Sequence, residues 1–238
     1  MILCFLVPLQ LDMRISVRLN IVVVLLLLST MAMAQSFFST KNMTFKEKGD
    51  KGVTYSAKIE FPMDGNAHAL KSVREWICDM LETDVPKQWD ESQIQALLRD
   101  CCGRFLMEAY GVSREIEIVR SFEDENCVTF EATIMDVDTE KWISQDCATF
   151  SKRDGHRLQV DEIFNCSEEK IKELMWNYRG DLPMEVGCAE ELIVGNVGYI
   201  DGWVIVIGPA QHYTGAAYRI RYEEVEQYVR IGKSGGYH

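Results

Sequence analysis

The chain has 238 residues, of which 47% are hydrophobic, and 37 acidic against 25 basic side chains give a formal net charge of −12 at pH 7. That much negative charge argues against nucleic acid and anionic lipid surfaces as partners, because both repel an acidic protein. It suits a cationic partner, although acidity also serves solubility alone. The length allows one sizeable hydrophobic core or two small subdomains.

The N-terminal segment has the pattern of a secretory signal peptide. Basic residues precede a nearly unbroken apolar run from Leu19 to Met33, and a small-x-small sequence ends at Ala34. A retained transmembrane anchor is the alternative, but the run is shorter than the ~20 apolar residues that a spanning helix needs. We therefore expect residues 1–34 to be a cleaved signal peptide, with Met13 as the true start. The mature product is then periplasmic or secreted and has no membrane span.

The cysteines bear on the redox compartment. Seven of them follow the leader: Cys78, Cys101, Cys102, Cys127, Cys147, Cys166 and Cys188. An oxidising compartment favours one or more disulfides among them, and the odd number leaves at least one thiol unpaired. A metal site is the rival interpretation, but there is no CxxC pair and no histidine at ligand spacing. We expect no metal and no cofactor.

The first half of the mature chain predicts a strand followed by two helices. Apolar and polar residues alternate from Val53 to Phe61, which is typical of a strand with one buried face. Apolar residues then recur at helical spacing from Leu70 to Leu81. A second amphipathic helix follows, with Asp90 or Ser92 as its N-cap. We assign residues 35–112 to this N-terminal strand-helix-helix module.

In the second half, the period of the apolar residues switches back to two. Strands are predicted around Ile116–Ile118, across Val128–Ile134 and from about Lys141 to Ser151, with a turn at Arg153-Asp154-Gly155. Short connections between consecutive strands indicate an antiparallel meander with one solvated face.

The C-terminal part adds a helix and a hairpin. Ser167 is positioned to cap the helix, Asp201-Gly202 is typical of a two-residue type I′ turn, and Tyr218–Tyr222 alternates as a final strand. We assign residues 113–231 to a C-terminal module and 232–238 to a flexible tail. The predicted fold class is α+β, an antiparallel meander with helices packed on one side. Two small intertwined subdomains are the open alternative.

The order of these C-terminal signatures resembles the C-terminal domain of the RsiV-like family. The matching stretches are Asp154-Gly155, Asp161-Glu162-Ile163-Phe164, Gly208-Pro209 with Tyr213 and Gly215, and Tyr218 to Val225. The segment from Val53 to Leu81 is similar to the companion N-terminal module. The family includes a lysozyme-sensing anti-sigma factor and non-catalytic domains of PdaC-type peptidoglycan deacetylases. The resemblance therefore implies an α+β domain that binds a protein or a cell-wall ligand.

The chain departs from the family pattern in two loops. Asp136–Glu140 stands where the family commonly carries glycines and a histidine, and Ala210-Gln211-His212 is inserted ahead of Tyr213. A partner surface built from these loops would be altered. The metal-binding Asp and His motif of the deacetylase catalytic domain has no counterpart in this sequence.

The loop before the last strand is the best candidate for a binding site. Loops that join strands on a rigid sheet often carry function, and Tyr and His offer contact area and hydrogen bonds. The candidate binding residues are Gln211, His212, Tyr213 and Gly215, with Tyr199 and Trp203 beside the hairpin tip. The alternative is that the aromatic residues pack within the fold and that Gly215 only permits a turn.

No catalytic motif stands out in the sequence. The four histidines lie outside helical ligand spacing, and no G-x-S-x-G, H-E-x-x-H or phosphate-binding glycine pattern occurs. We therefore expect a non-catalytic binding module of the cell envelope, with a basic lysozyme-like enzyme as one target. The alternatives are a glycan- or peptide-acting hydrolase that uses carboxylates in a cleft, and a structural periplasmic module.

Overall fold

A computed structural model describes residues 37–49, 52–108, 111–180, 187–208 and 217–230. The predicted signal peptide, the C-terminal tail and the candidate residues Gln211, His212, Tyr213 and Gly215 lie outside these ranges. The described residues from Phe38 onward belong to one compact unit. Within the described ranges, no helix has the length and apolar character needed to cross a membrane.

The larger sheet contains five strands in chain order: β1 (Ser39–Lys48), β2 (Thr54–Asp64), β3 (Arg114–Glu123), β4 (Cys127–Asp136) and β5 (Lys141–Ser151). The predicted antiparallel meander holds for β3, β4 and β5. β2 and β3 instead pair in parallel, because a two-helix crossover connects them. The sequence prediction lacks β1, in which only Met43 is buried, so that its alternation is weak.

Two long helices cover one face of this sheet: α1 (Ala67–Met80) and α2 (Glu91–Glu108). Their apolar stripes pack on the inward side chains of all five strands, among them Ile59, Ile118 and Phe130. The Asn66 side chain caps α1 by accepting hydrogen bonds from the backbone N–H groups of the first turn. Asp90 caps α2 in the same way, so it is the cap among the two candidates that the sequence offers.

A second, three-stranded sheet packs on the other face of β4 and β5. It consists of β6 (Asn196–Ile200), β7 (Trp203–Ile207) and β8 (Ala217–Arg221). The expectation of one solvated face is therefore wrong for β4 and β5, where Thr129 and Thr149 are fully buried. Their hydroxyl groups lie 2.9 Å apart and hydrogen-bond each other, which satisfies both in the interior.

Helices also cover the outer side of the small sheet: α3 (Val160–Ile163), α4 (Glu168–Asn177) and α5 (Tyr222–Val225), with 3₁₀ turns at Ala189–Glu191 and Glu226–Tyr228. Ser167 caps α4 as expected. The predicted α+β class is confirmed. The helices lie on both outer sides of the paired sheets rather than on one, since each sheet has an apolar face to cover.

The seven cysteines after the leader all carry free thiols, so the expected disulfides do not form in this structure. Five are completely buried: Cys78, Cys101, Cys102, Cys127 and Cys147. Both members of the adjacent pair, Cys101 and Cys102, pack in the core. Burial raises the pKa of Cys101 to about 11 and that of Cys102 to about 12, so both stay protonated at neutral pH.

Candidate functional site

The hairpin of the small sheet separates the two candidate aromatic residues. Ile200 pairs with Trp203 across the two-residue turn, and Tyr199 pairs with Val204. Successive residues of a strand point to opposite faces, so Tyr199 and Trp203 lie on opposite sides of the sheet. Tyr199 is only 2% exposed, and its ring packs 5.2 Å from that of Phe122. This structure therefore leaves Tyr199 little surface for a partner.

Trp203 is more accessible, with 36% of its surface exposed. Its register partner on β8 is Arg221, whose guanidinium carbon lies 5.5 Å from the centre of the indole ring. That distance is within the range of a cation–π contact, which holds the long arginine side chain against the ring. Trp203 and Arg221 therefore present a flat aromatic surface and a positive charge side by side.

The same face of β8 carries a second arginine. Arg219, two residues before Arg221, forms an ion pair of 3.1 Å with Glu131 of β4 and so joins the small sheet to the large one. Burial raises the pKa of Glu131, and the neighbouring Arg219 opposes that rise. We call Trp203, Arg219, Arg221 and Glu131 together the Trp203 corner.

Beyond the Trp203 corner, the face of the large sheet opens to solvent and is polar. Glu115 accepts a hydrogen bond of 2.8 Å from Lys58 and one of 2.9 Å from the Ser56 hydroxyl. Glu60 pairs with Arg120 in the same manner. Most of these charges are neutralised by each other, so the polar face offers hydrogen-bonding groups rather than a strong field.

The loop that carries the other candidate residues leaves the small sheet beside β5. β7 ends at Ile207 and β8 begins at Ala217, and these two residues pair directly. Ile207 and Gly208 are buried, and the former packs against Cys147 of β5. The candidate loop is therefore attached to a rigid base, as the sequence predicts for a binding loop.

Asp136–Glu140, where the chain departs from the family pattern, forms the turn between β4 and β5. One carboxylate oxygen of Asp136 accepts hydrogen bonds from the backbone N–H of Asp138, at 2.9 Å, and of Thr139. Hydrogen bonding from Thr139 lowers the pKa of Asp136. Glu140 completes the turn with a φ of 53°. This turn is closed by its own carboxylate, in a place where the family pattern has glycines.

A cleft of about 800 Å³ lies between α2 and the loop that joins α1 to α2. The lining includes three carboxylates, two cations and an apolar floor: Glu82, Asp84, Asp100, Lys87, Arg104, Leu97 and Val85. Arg104 donates to the backbone oxygen of Leu81 and thereby fixes one end of the loop. No sequence motif marks this cleft, because its lining residues come from a loop and from one face of a helix.

The far end of that loop is fixed by an arginine that contacts two aromatic rings, which also pack against each other. The Arg74 guanidinium carbon lies 5.2 Å from the Trp89 ring centre and 5.8 Å from that of Phe61. Arg74 also donates to the backbone oxygens of Pro62 and Met63. Since both ends of the loop are anchored, the loop is held in place and the cleft keeps a defined shape. In the ranges that the structure describes, no three His, Cys, Asp or Glu side chains cluster as metal ligands.

No family model matches the chain, and no curated protein matches it in sequence. Among the solved structures with a similar fold are two that are described as DUF3298 family proteins. The one from Bacteroides fragilis is 12% identical, with a TM-score of 0.52 and coverage of 82% of this chain and 95% of its own. The one from Pseudomonas aeruginosa is 13% identical, with a TM-score of 0.49 and coverage of 83% and 96%. At this identity the likeness to the Bacteroides protein shows a shared fold.

Proposed function

We propose that this chain is an exported, non-catalytic binding module that captures a basic protein or a cell-wall ligand at the Trp203 corner. The observation that carries the proposal is the accessible indole of Trp203 with the guanidinium of Arg221 against it. Tryptophan and arginine are enriched among the residues that dominate binding energy. Both belong to a rigid hairpin and its neighbouring strand, so little ordering entropy is lost on binding.

The charge of the chain supports a basic protein as the partner. The net charge is −12, and acidic side chains occupy the first turns of the outer helices. Both arginines of the Trp203 corner are paired with glutamates, Arg219 with Glu131 and Arg221 with Glu223 at 3.8 Å, and Glu224 adds a further negative charge at the border. An acidic border attracts a basic partner over a Debye length and accelerates its association at low salt. A lysozyme-like enzyme has the required charge.

The shared fold supports the same kind of role. DUF3298 proteins are a domain type related to the C-terminal domain of the RsiV-like family, and their function is unknown. The sequence signatures of this chain point to the same family. Binding without catalysis is the property that the resemblance implies, and we extend it to this chain as part of the proposal.

The binding experiment is a calorimetric titration of the purified mature protein with lysozyme at about 50 mM and about 500 mM NaCl. We expect affinity to fall as salt rises. We also expect Trp203→Ala and Arg221→Ala each to weaken binding roughly tenfold or more. Ile193→Ala, which removes another exposed apolar side chain, is the matched control and should leave the affinity unchanged.

Two outcomes would count against the proposal in different ways. No binding at high micromolar concentrations would remove lysozyme as the target. Binding that Trp203→Ala and Ile193→Ala weaken equally would remove the Trp203 corner as the contact surface. Far-ultraviolet circular dichroism of each variant verifies that the fold is retained.

Export is tested separately by expressing the full chain with a C-terminal tag in a Gram-negative host and fractionating the cells. We expect the tagged product in the periplasm, with Gln35 as its first residue by N-terminal sequencing. A product that stays in the cytoplasm with an intact leader would contradict export and leave the binding test unaffected.

The carboxylates of the cleft favour an envelope hydrolase as the second candidate. Glu82, Asp84 and Asp100 line one cavity, and paired carboxylates are the usual machinery of glycoside hydrolysis. Release of reducing ends from purified peptidoglycan, abolished by Asp84→Asn or Asp100→Asn, would support this candidate. No release by the unmodified protein would eliminate it for that substrate.

A further inference from the structure

A histidine is held between two carboxylates at the junction of the large sheet and the outer helices. Nδ1 of His156 lies 2.5 Å from Oδ1 of Asp154, and Nε2 lies 2.8 Å from Oε1 of Glu162. A carboxylate only accepts hydrogen bonds, and a neutral imidazole has a single N–H. Both contacts are therefore satisfied together only when the ring is the doubly protonated imidazolium. We call these three residues the His156 clasp.

The His156 clasp joins the turn after β5 to α3, and Glu162 lies six residues after His156 along the chain. Asp154 and His156 belong to the turn that follows β5, whereas Glu162 belongs to α3. The other carboxylate oxygen of Glu162 accepts the backbone N–H of Gln159 and so closes the first turn of α3. Glu162 is thus held at both oxygens, one by its own helix and one by the β5 turn.

From α3, backbone contacts continue to the C-terminal segment. Phe164 forms an isolated β-bridge with Val229. The backbone N–H of Asn165 donates to the oxygen of Tyr228, and that of Arg230 donates to the oxygen of Ile163, both at 2.8 Å. Loosening α3 from the β5 turn therefore loosens the segment that closes the outer layer.

The β5 turn itself has little freedom to move. Gly155 has a φ of 79°, and an added Cβ would lie 2.4 Å from the backbone oxygen of His68 on α1. Ser72 of α1 lies on the same side, and Arg153 pairs with Asp154 at 3.2 Å. The charged groups that face His156 are thus the two carboxylates of the clasp, with Arg153 behind one of them.

The electrostatics give the direction of the pH dependence. The hydrogen bonds of Asp154 and Glu162 raise the pKa of His156 above its ordinary value. The same contact with His156 lowers the pKa of Asp154, and the Gln159 backbone followed by His156 lowers that of Glu162. A raised folded-state pKa contributes stability that is complete below the unfolded pKa and is lost as pH rises through the folded pKa. Both carboxylates stay ionised well into acid.

We propose that the His156 clasp is a pH-sensitive contact. It holds α3 and the C-terminal segment against the β5 turn while the imidazole carries both protons, and it releases them when His156 loses one as the pH rises. The released elements are the outer layer over the small sheet, and the five-stranded sheet and α1 keep their packing. The His156 clasp is independent of any partner at the Trp203 corner.

Hydrogen exchange followed by NMR between about pH 6 and about pH 9 tests the His156 clasp, with exchange rates corrected for their intrinsic pH dependence. We expect the protection of the Asn165 and Arg230 amides to fall roughly threefold to tenfold across this range, since exposed ion pairs contribute modestly. In His156→Gln the protection should be lower and independent of pH. His68→Gln is the matched control and should behave as the unmodified protein.

A proton titration of the histidine rings provides the second measurement. His156 should titrate above ~6.5, the value for an unperturbed histidine, and Glu162→Gln should move its midpoint down and reduce the pH-dependent loss of protection. Glu162→Gln also serves if His156→Gln does not fold. Equal pH dependence of protection in His156→Gln and the unmodified protein would overturn the proposal. A His156 midpoint at or below the unperturbed value would do the same.

Discussion

Replacing Lys152 with methionine tests a buried ionic network that joins β3 to the turn after β5. Nζ of Lys152 lies 2.7 Å from Oε1 of Glu123, and only 3% and 6% of the two side chains are exposed. Lys152 also donates to the backbone oxygen of Asp124. Glu123 keeps two further partners, since it accepts from the Phe38 backbone N–H and pairs with Arg120 at 2.6 Å.

The expected loss of stability follows from these partners. Removing one member of a buried ion pair costs about 3–5 kcal/mol, because the remaining charge is left in a medium that solvates it poorly. Glu123 retains Arg120 and the Phe38 N–H, so we expect the low end, about 3 kcal/mol. For a unit of this size that corresponds to a drop in Tm of roughly 6–12 °C. The double variant Glu123→Gln/Lys152→Met should recover part of the loss, because it buries no unpaired charge.

Urea unfolding followed by tryptophan fluorescence measures these differences, and the two single variants with the double variant complete a double-mutant cycle. Lys170→Met is the matched control, since Lys170 pairs with Glu173 on the surface of α4 and should leave the urea midpoint almost unchanged. The reasoning fails if Lys152→Met and Lys170→Met shift the midpoint by the same small amount. It also fails if the double variant is less stable than both single variants.

Three further predictions concern packing, capping and thiol reactivity. Gly198→Ala should destabilise by about 1–3 kcal/mol in urea unfolding, because its Cβ would lie 2.8 Å from the Thr129 methyl group between the two sheets. Gly103→Ala on α2 should stabilise by about 0.5–1 kcal/mol, because its Cβ would meet only the Glu47 carboxylate at 4.0 Å, an ordinary contact distance. Asn66→Ala should cost about 1 kcal/mol in the same assay by removing the cap of α1. In thiol labelling of the folded protein, Cys188 should react first among the described cysteines because it is exposed. Its rate should continue to rise to a higher pH than that of an ordinary thiol, since a hydrogen bond with the neighbouring Glu190 raises its pKa.

Local signals predict much of this fold because they do not depend on distant contacts. The alternation that predicts a strand from Lys141 to Ser151 matches the bounds of β5, and the serine at position 167 caps α4. The two-residue hairpin turn at Asp201-Gly202 also forms at the predicted position, although it is not the predicted type I′, because Gly202 has a positive φ of 71° and Asp201 does not. In each of these cases the chemistry of neighbouring residues is sufficient.

The prediction of a solvated face fails where polar residues are buried in the interior. The alternating pattern assigns Thr129 and Thr149 to a solvated face, yet both are buried beneath the small sheet. Their mutual hydrogen bond replaces the one that each would make with water, so burial costs little. The ion pair of Lys152 and Glu123 follows the same logic. A periodicity analysis cannot anticipate such pairs, because it treats each polar residue alone.

The candidate site contains one feature that the sequence predicts and another that it does not. A two-residue turn places Ile200 opposite Trp203, and from that register alone Tyr199 and Trp203 must lie on opposite faces. The sequence therefore contains enough to separate them, although their positions beside the hairpin tip suggest a common surface. The two arginines of β8 differ in this respect. Arg221 meets Trp203 through the register of β7 and β8, whereas Arg219 reaches Glu131 only because the small sheet packs on the large one. A partner that uses Trp203 must approach from the side where Arg219 and Arg221 lie, which ties its recognition to the packing of the two sheets.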